Sequence, residues 1–332
     1  MSEKAKGIVV LLIVYAVACV AGYLAARLAW PAYLSGWDIL WLSALAMGVA
    51  VVVIFAGSVI FNNSSVFDPY WSVAPPLTVL FLLAVRAIDV NPMMYTMAGI
   101  WEVLTGSPRI SVLLFLTLAY GFRLTWNFLR GWPGLSHEDW RYRNFRVSGG
   151  RWYWLVSFSG IHFFPALMVF GGLLPVWVVV IVRARPINAL DFAAVVVTCL
   201  AILLEAASDS QMRQFLKENR DSGKTMDRGL WSVSRHPNYL GEILFWWGLW
   251  LFAMASYREF WWVVAGPVAI TLMFLFVSIP MIEKRMLQRR SDYEEYRARV
   301  SMLLPMKWGK KKMGEEEKTG QEDERTGEQA DD

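Results

Sequence analysis

Polar side chains crowd the start of one apolar segment, in the sequence RHPNYLGE from Arg235 to Glu242. Pro237 suits the first position of a helix, where its missing N–H would have no partner. Asn238 and Glu242 would then lie four residues apart on one face of that helix. Because Arg235 and His236 stand beside the free N–H groups of the helix start, the stretch predicts an anion site suited to phosphates.

The same face offers an amide and a carboxylate just beyond the predicted phosphate contacts, with Tyr239 between them. A dinucleotide presents phosphates, ribose hydroxyls and a carboxamide in succession, so one such ligand matches the order of these groups. The alternative is a helix cap at the membrane interface, with a Glu242 side chain that reaches toward water. The residues alone leave both interpretations open.

A second acidic pair, Glu205 and Asp209, lies at the end of the preceding apolar segment, and Lys217 follows. Acids near a helix C-terminus oppose the helix dipole. The pair therefore predicts a partner, such as a ribose, an adenine amino group or Arg235. A solvated helix end is the alternative.

The basic segment that begins at Glu283 predicts an amphipathic helix. Its cations favour a surface helix held by anionic lipid. Alternatively the segment closes over a cofactor, with Arg285 on a phosphate.

Two earlier segments also carry chemistry. FDPYWS places Asp68 and Tyr70 where a buried pair would donate a proton to a developing enolate, or where the loop simply caps two helices. HEDWRY places Glu138 and Asp139 beside arginines, either in structural ion pairs or under a cofactor. Arg123 lies inside an apolar segment and needs an acid, for which Asp68 or Glu242 would serve.

The elements that position these residues are membrane-spanning helices. The 332-residue chain is 56% hydrophobic and has a mean hydropathy of +0.38, which is too apolar for an ordinary soluble domain. A span needs about 20 apolar residues, and we predict an all-α transmembrane bundle of about eight, within a range of seven to ten. The spans are Gly7–Trp30, Trp37–Phe61, Val73–Ile88, Ile110–Leu129, Tyr153–Val182, Ala189–Ala207, Tyr239–Ser256 and Phe260–Met281.

Three details of these spans are open. The third is short and starts at Pro75 and Pro76, and Pro165 and Pro175 predict a tilt, a kink or a break in the fifth. The segment Pro92–Leu104 is moderately apolar and is predicted to lie at the interface.

Lysine and arginine predict the orientation. With the N-terminus inside, the inner segments hold 25 of these residues and the outer segments six. We therefore expect both termini, and any chemistry with a soluble charged cofactor, on the cytoplasmic side of the cell membrane. We predict that residues 1–308 form the membrane domain, with a cofactor-binding half at about 189–305, and that the charged residues 309–332 form a disordered tail.

Several partner classes are not expected. Cys19 and Cys199 lack metal-ligand spacing, and no two of the three histidines share a helical turn, so no metal site is predicted. No GxGxxG follows a strand, which excludes the common soluble dinucleotide folds. Nucleic acid is not an expected partner.

A resemblance adds to these patterns. The sequences EAASDSQ, GLWSVSRHPNYLGE and DYEEYRARVSMLLP resemble the C-terminal half of the steroid 5-alpha-reductase superfamily, over about 205–305. That group includes sterol C14 and C7 reductases and, more distantly, isoprenylcysteine carboxyl methyltransferases. NNSSVFDPYWSVAPP and RLTWNFLRGWPGLSHEDWRYRNFR resemble its bacterial and archaeal reductase-like branch.

The resemblance implies a helical bundle that holds NADPH in a polar cavity open to the cytoplasm. Hydride would pass to the beta carbon of an activated double bond in a lipid. The family's cofactor-lining Asn, Glu and Asp match Asn238, Glu242 and Asp209. Its usual Asn is Glu205 here, a departure, and its last-helix cations correspond loosely to Lys284 or Arg285. The catalytic Glu and Tyr of the animal enzymes have no match.

Three functions follow as hypotheses. The first is an NADPH-dependent oxidoreductase that acts on an isoprenoid, sterol-like or other unsaturated lipid drawn from the bilayer. The second is a methyltransferase that uses S-adenosylmethionine on a lipid or lipidated substrate. The third is a lipid-binding membrane protein without catalysis, which would be favoured if the Asp68–Trp71 loop lay far from the Asn238–Glu242 face.

Overall fold

The computed structural model describes residues 1–31, 35–90, 97–182, 185–219 and 223–304. Every regular element in these ranges is helical, which confirms the predicted all-α class. The α-helices are α1 (Glu3–Leu28), α2 (Gly36–Ile60), α3 (Tyr70–Val90), α4 (Met97–Gly106), α5 (Pro108–Gly131), α6 (Trp140–Gly149), α7 (Tyr153–Val156), α8 (Phe164–Ile181), α9 (Ala189–Glu218), α10 (Pro237–Ser256), α11 (Ala265–Met273), α12 (Ile279–Arg289) and α13 (Tyr293–Arg299).

Within the described ranges, eight helical segments are long and apolar enough to cross a membrane, and they follow the predicted spans in order. They are Glu3–Leu28, Gly36–Ile60, Ser64–Ala87, Pro108–Gly131, Trp140–Ile181, Ala189–Glu218, Pro237–Ser256 and Arg258–Arg289. The protein is therefore an integral membrane protein. The side of the membrane on which each end lies stays a prediction, as does the tail at 309–332, which falls outside the described residues.

The first two spans pack closely because small residues let their backbones approach. A Cβ on Gly22 of α1 would lie 2.6 Å from the Ala46 carbonyl oxygen of α2. The start of α2 is fixed by Ser35 and Asp38, whose side chains each bond the other's backbone N–H. This reciprocal cap satisfies two N–H groups that the helix start leaves open.

The third span differs from the prediction at its start. Its helix begins at Tyr70, and the first turn is closed by N–H groups of Ser72 and Val73 that donate to the Pro69 carbonyl. Pro75 and Pro76 therefore lie inside α3 rather than at its beginning. Each proline removes one backbone donor from the helix interior.

The fifth span is broken, one of the outcomes that its prolines predict. A π-helical stretch at Ser157–Phe163 separates α7 from α8, and Pro165 lies in the first turn of α8. The break is held by the buried His162, whose Nδ1 donates to the Ser157 carbonyl at 2.9 Å. Its Nε2 lies 2.9 Å from the Ser58 hydroxyl of α2.

The eighth span contains a second π-helical stretch, Phe274–Ser278, between α11 and α12. The segment predicted at the interface forms the ten-residue helix α4, while residues 91–96 lie outside the described ranges.

By its packing the chain separates into two compact units. The first contains Met1–Ala207 and Asn238–Met281. The second contains Ser208–Pro237 and the described residues after Met281. Most of the membrane-spanning sequence belongs to the first unit, as do the paired acids at 205 and 242.

Candidate functional site

Glycines bring α9 and α10 together at the centre of the candidate site. A Cβ on Gly241 would lie 2.8 Å from both the Ala201 carbonyl oxygen and the Glu205 Cβ. A Cβ on Gly248, two turns further along α10, would lie 2.1 Å from the Thr198 hydroxyl oxygen. Any larger side chain at either position would push the helices apart, so these glycines place Glu205 against the first turns of α10.

An arginine and two glutamates meet at this contact. The Arg123 guanidinium of α5 lies 2.6 Å from Glu205 Oε1, and both side chains are largely buried. The carboxyl group of Glu242 is a close neighbour of Glu205 at this contact. The sequence suggests Asp68 or Glu242 as the acid near Arg123; the ion pair that the structure shows is with Glu205, and the charge of Arg123 also acts on Glu242. A hydrogen bond between two carboxyl groups requires one proton, because ionised carboxylates only accept.

Glu242 is buried and is surrounded by aromatic side chains. Its Oε1 accepts hydrogen bonds from the Tyr120 hydroxyl at 2.5 Å and from the Trp246 indole N–H at 3.0 Å. The Tyr120 ring stacks on Phe245 with centroids 3.7 Å apart. Sequence reasoning missed Tyr120, although it lies three residues before Arg123 and so shares its helix face.

On the predicted face of α10, some polar side chains form hydrogen bonds within the protein and others do not. The helix begins at Pro237, as predicted. The half-buried Asn238, one turn before Glu242, forms no hydrogen bond or ion pair with any described residue. The Tyr239 ring packs against Phe274, with centroids 4.9 Å apart. The Asn238 amide can therefore bond a ligand, while Glu242 already has side-chain partners.

The Asp68–Trp71 segment reaches this face. The Trp71 ring meets Trp246 edge-on, with centroids 6.4 Å apart, and Trp246 donates to Glu242. The loop is therefore close to the α10 face, which removes the condition that would have favoured a non-catalytic protein.

Asp68 and Tyr70 do not form a pair. Asp68 accepts a hydrogen bond of 2.5 Å from the Tyr142 hydroxyl. The Tyr70 hydroxyl is buried and has no hydrogen-bond partner among the described residues, and its ring stacks on Phe67. The two side chains differ in surroundings because residues two apart in a helical turn do not face each other.

The acids of HEDWRY form structural ion pairs. Asp139 bonds Arg141 at 2.8 Å and caps α6. Glu138 bonds Arg146 at 3.0 Å, and it also accepts from the Ser64 backbone N–H and the Tyr153 hydroxyl.

In the second unit, Arg235 and His236 have internal partners. Both bond Glu283 Oε1, at 2.8 Å and 2.9 Å respectively. Arg235 also donates to the carbonyls of Arg297 and Val300. Glu283 neutralises the charge that is predicted to attract a phosphate, so a phosphate would have to displace it.

The remaining predicted cofactor contacts also lie in the second unit. Asp209 and Arg285 are half-buried and have polar partners. Lys217 is exposed near the end of α9 and has no partner among the described residues.

Tyr293 and Tyr296 form a small core in the second unit with Val300. The Tyr296 hydroxyl donates to the Trp231 carbonyl at 2.6 Å. Burial raises the pKa of Tyr293 to about 12, so this phenol stays neutral and structural.

Comparison with known proteins gives a family without an assigned activity. The chain belongs to the family described as "Protein of unknown function (DUF1295)", whose model matches residues 54–300. It is similar to an uncharacterized protein of Schizosaccharomyces pombe, at 25% identity over 275 residues that cover 76% of each chain. No solved structure gives a significant match. The matched range contains Arg123, Glu205 and Glu242.

Proposed function

We propose that this chain is a membrane-embedded, NADPH-dependent reductase that saturates a carbon–carbon double bond in a lipid. The observation that carries the proposal is the meeting of Arg123, Glu205 and Glu242 inside apolar spans, with the Trp71 loop against the same face. Ionisable groups within membrane spans are costly and usually functional. The resemblance of the segment at about 205–305 to the steroid 5-alpha-reductase superfamily supports the same reaction class.

A second feature that supports a lipid substrate is an apolar cavity of about 350 Å³ between α1, α2 and α3. Small side chains such as Ala18, Ala50 and Ala74 line it, and Tyr70 lies in its wall. A pocket of this size and character suits the apolar body of a lipid. The Tyr70 hydroxyl has no acceptor among the described residues. The Tyr70 hydroxyl would therefore donate a hydrogen bond to a polar atom of the lipid.

The residues on the α10 face fit a nicotinamide cofactor. Asn238 would hold the carboxamide, because its side chain can donate and accept and has no described partner. Glu242 would accept a hydrogen bond from the same group through its second oxygen. When bound, NADPH would supply the hydride.

The paired acids would manage the proton. One proton would be shared between the Glu205 and Glu242 carboxyl groups, and Arg123, which lies 2.6 Å from Glu205, would stabilise the negative charge that remains on the pair. The Tyr120 hydroxyl, 2.5 Å from Glu242 Oε1, extends this hydrogen-bonded chain by one group. The cluster would thus hold a transferable proton away from bulk water, in a position to act as a general acid.

The direct test is ligand-induced stabilisation of the full chain in detergent. A ligand that binds only the folded protein stabilises it by about 2.7 kcal/mol when its concentration is about a hundred times Kd. This stabilisation raises the melting temperature. We expect a rise with NADPH and a smaller one with S-adenosylmethionine. The opposite ranking would assign the chain to the methyltransferases.

The variant Glu242→Gln sharpens this test. The amide oxygen of Gln can still accept from Tyr120 and Trp246, so the fold should persist. Loss of a charge-assisted hydrogen bond, at about 1.5–3 kcal/mol, should weaken NADPH binding by about tenfold or more. Glu259→Gln is the matched control, because Glu259 is exposed and bonds only Arg185 among the described residues. Equal NADPH affinity in both variants would leave Glu242 as a helix-end group.

A further inference from the structure

A polar cavity of about 400 Å³ lies beside the Asp68–Trp71 segment, within the first unit, and the proposed reaction gives it no role. The end of α5, the loop that follows it and the start of α6 complete its wall. The lining side chains that bear on its ligand are Asp68, Trp71, Trp132, His137, Asp139 and Arg141. The cavity therefore combines carboxylates, aromatic rings and an arginine in a volume typical of small-ligand sites.

The charges in this wall disfavour an anionic ligand. The Arg141 guanidinium is neutralised by Asp139 at 2.8 Å, and the same carboxylate caps α6. Asp68 remains as the excess charge. It accepts a hydrogen bond from the Tyr142 hydroxyl, which uses one of the roughly four acceptor positions of a carboxylate. The cavity therefore offers acceptors to a ligand that donates hydrogen bonds, and it repels phosphate.

One buried donor narrows the ligand class further. The Trp132 indole N–H is buried and has no acceptor among the described residues. The far edge of the same ring lies against Gly7 of α1, where a Cβ would approach it to 2.9 Å, so the ring cannot move that way. An ammonium group cannot accept from this N–H, and a phosphate dianion cannot donate to Asp68. A hydroxyl group does both.

The cavity lies where membrane spans end. Trp132 follows the last residue of α5, and Asp68 precedes the first residue of α3. Tryptophan rings at such ends lie at the depth of lipid head groups. We infer that this cavity binds the hydroxyl-rich head group, a sugar or polyol, of a membrane lipid. The ligand hydroxyls would donate to Asp68 and accept from Trp132, and the apolar ring faces would contact the aromatic wall.

The test uses the full chain in nanodiscs of phosphatidylcholine, so that no sugar-based detergent competes. Added monoglucosyl diacylglycerol should raise the melting temperature, whereas added phosphatidic acid should not. In Asp68→Asn, affinity for the glucolipid should fall by about tenfold to a hundredfold, the factor of one charge-assisted hydrogen bond. Asp38→Asn, at the opposite end of α2, is the matched control and should respond like the wild type.

His137→Gln provides a second variant that will fold, because His137 is an exposed lining residue. It should weaken the glucolipid response by a smaller factor than Asp68→Asn. Free glucose and NADPH distinguish other sources of hydroxyls. If free glucose raises the melting temperature as much as the glucolipid does, the cavity recognises hydroxyl groups but the ligand is not a membrane lipid.

No glucolipid response, or a response that survives in Asp68→Asn, would overturn the inference. So would an NADPH response that depends on Asp68 when the glucolipid gives none. None of these readouts requires turnover, so failure here is separate from failure of the proposed reductase activity.

Discussion

Two cavities lie on either side of the same short segment, Asp68–Trp71, and they differ in chemistry. The cavity between α1, α2 and α3 is lined by alanines and aliphatic side chains, and Tyr70 contributes to its wall. The cavity beside α5 and α6 is lined by charged, polar and aromatic groups, and Asp68 and Trp71 contribute to it. One four-residue stretch therefore serves two environments, because successive residues of a helical turn point in different directions.

The two tyrosines near these cavities show what the difference means. Tyr142 donates to Asp68, so its hydroxyl is part of the protein's own bonding. The Tyr70 hydroxyl is buried without a partner among the described residues. Buried polar groups are normally hydrogen-bonded, and an exception asks for an explanation. A hydroxyl that is hydrogen-bonded within the protein stabilises the cavity wall, whereas a hydroxyl without a protein partner can bond a ligand.

The largest effect is expected from Gly121→Leu, which would damage both cavities at once. A Cβ at Gly121 of α5 would lie 2.5 Å from the Ser72 carbonyl oxygen and 2.9 Å from Pro76 Cγ. Because residues at the start of α3 line both cavities, a displacement of this helix would deform both. We expect a loss of about 2–3 kcal/mol in unfolding free energy, measured by denaturation in detergent.

Gly48→Leu is the matched control for this substitution. Gly48 lies inside α2, and a Cβ there would meet no atom within 4 Å. Both substitutions replace Gly by Leu within a helix, so the gain in helix propensity is the same. Only the Leu at position 121 would overlap with atoms of α3. Equal unfolding midpoints for the two variants would mean that α3 and α5 tolerate separation.

A matched pair of Tyr→Phe substitutions, one at each cavity, should differ in its effect on stability. Tyr142→Phe removes a hydrogen bond to a carboxylate and should cost about 1.5–3 kcal/mol. Tyr70→Phe removes a hydroxyl that has no described partner, so stability should be unchanged or slightly higher. If the proposed reaction uses this hydroxyl, Tyr70→Phe should lower turnover despite intact folding. Equal stability losses in the two variants would contradict the distinction.

The membrane spans can be predicted because their signal is local. An apolar run of sufficient length must cross the bilayer as a helix, whatever its neighbours do. Errors arise where local signals compete. Pro75 has the pattern of a helix start, but Pro69 closes an earlier turn with the N–H groups of Ser72 and Val73.

The site can be predicted only in part, because its pairings join distant parts of the chain. Spacing alone identifies Glu205 and Glu242, but the choice of Glu205 as the partner of Arg123 depends on the close approach at Gly241. No periodicity records that contact. For Tyr120 a signal does exist, since it lies one turn from Arg123, but an aromatic residue in an apolar span is not by itself a sign of function.

Filling the apolar cavity is expected to have only a small effect on stability. Ala50→Leu adds a side chain to a wall that faces about 350 Å³ of empty volume, so it should change unfolding free energy by less than about 1 kcal/mol. The same side chain would occupy space that a lipid needs. Lipid that copurifies with the protein, counted per chain by mass spectrometry, should therefore decrease. Ala56→Leu, on an exposed position of the same helix, should retain the wild-type amount. If Ala50→Leu also retains it, the lipid lies elsewhere and the contrast between the two cavities is only one of composition.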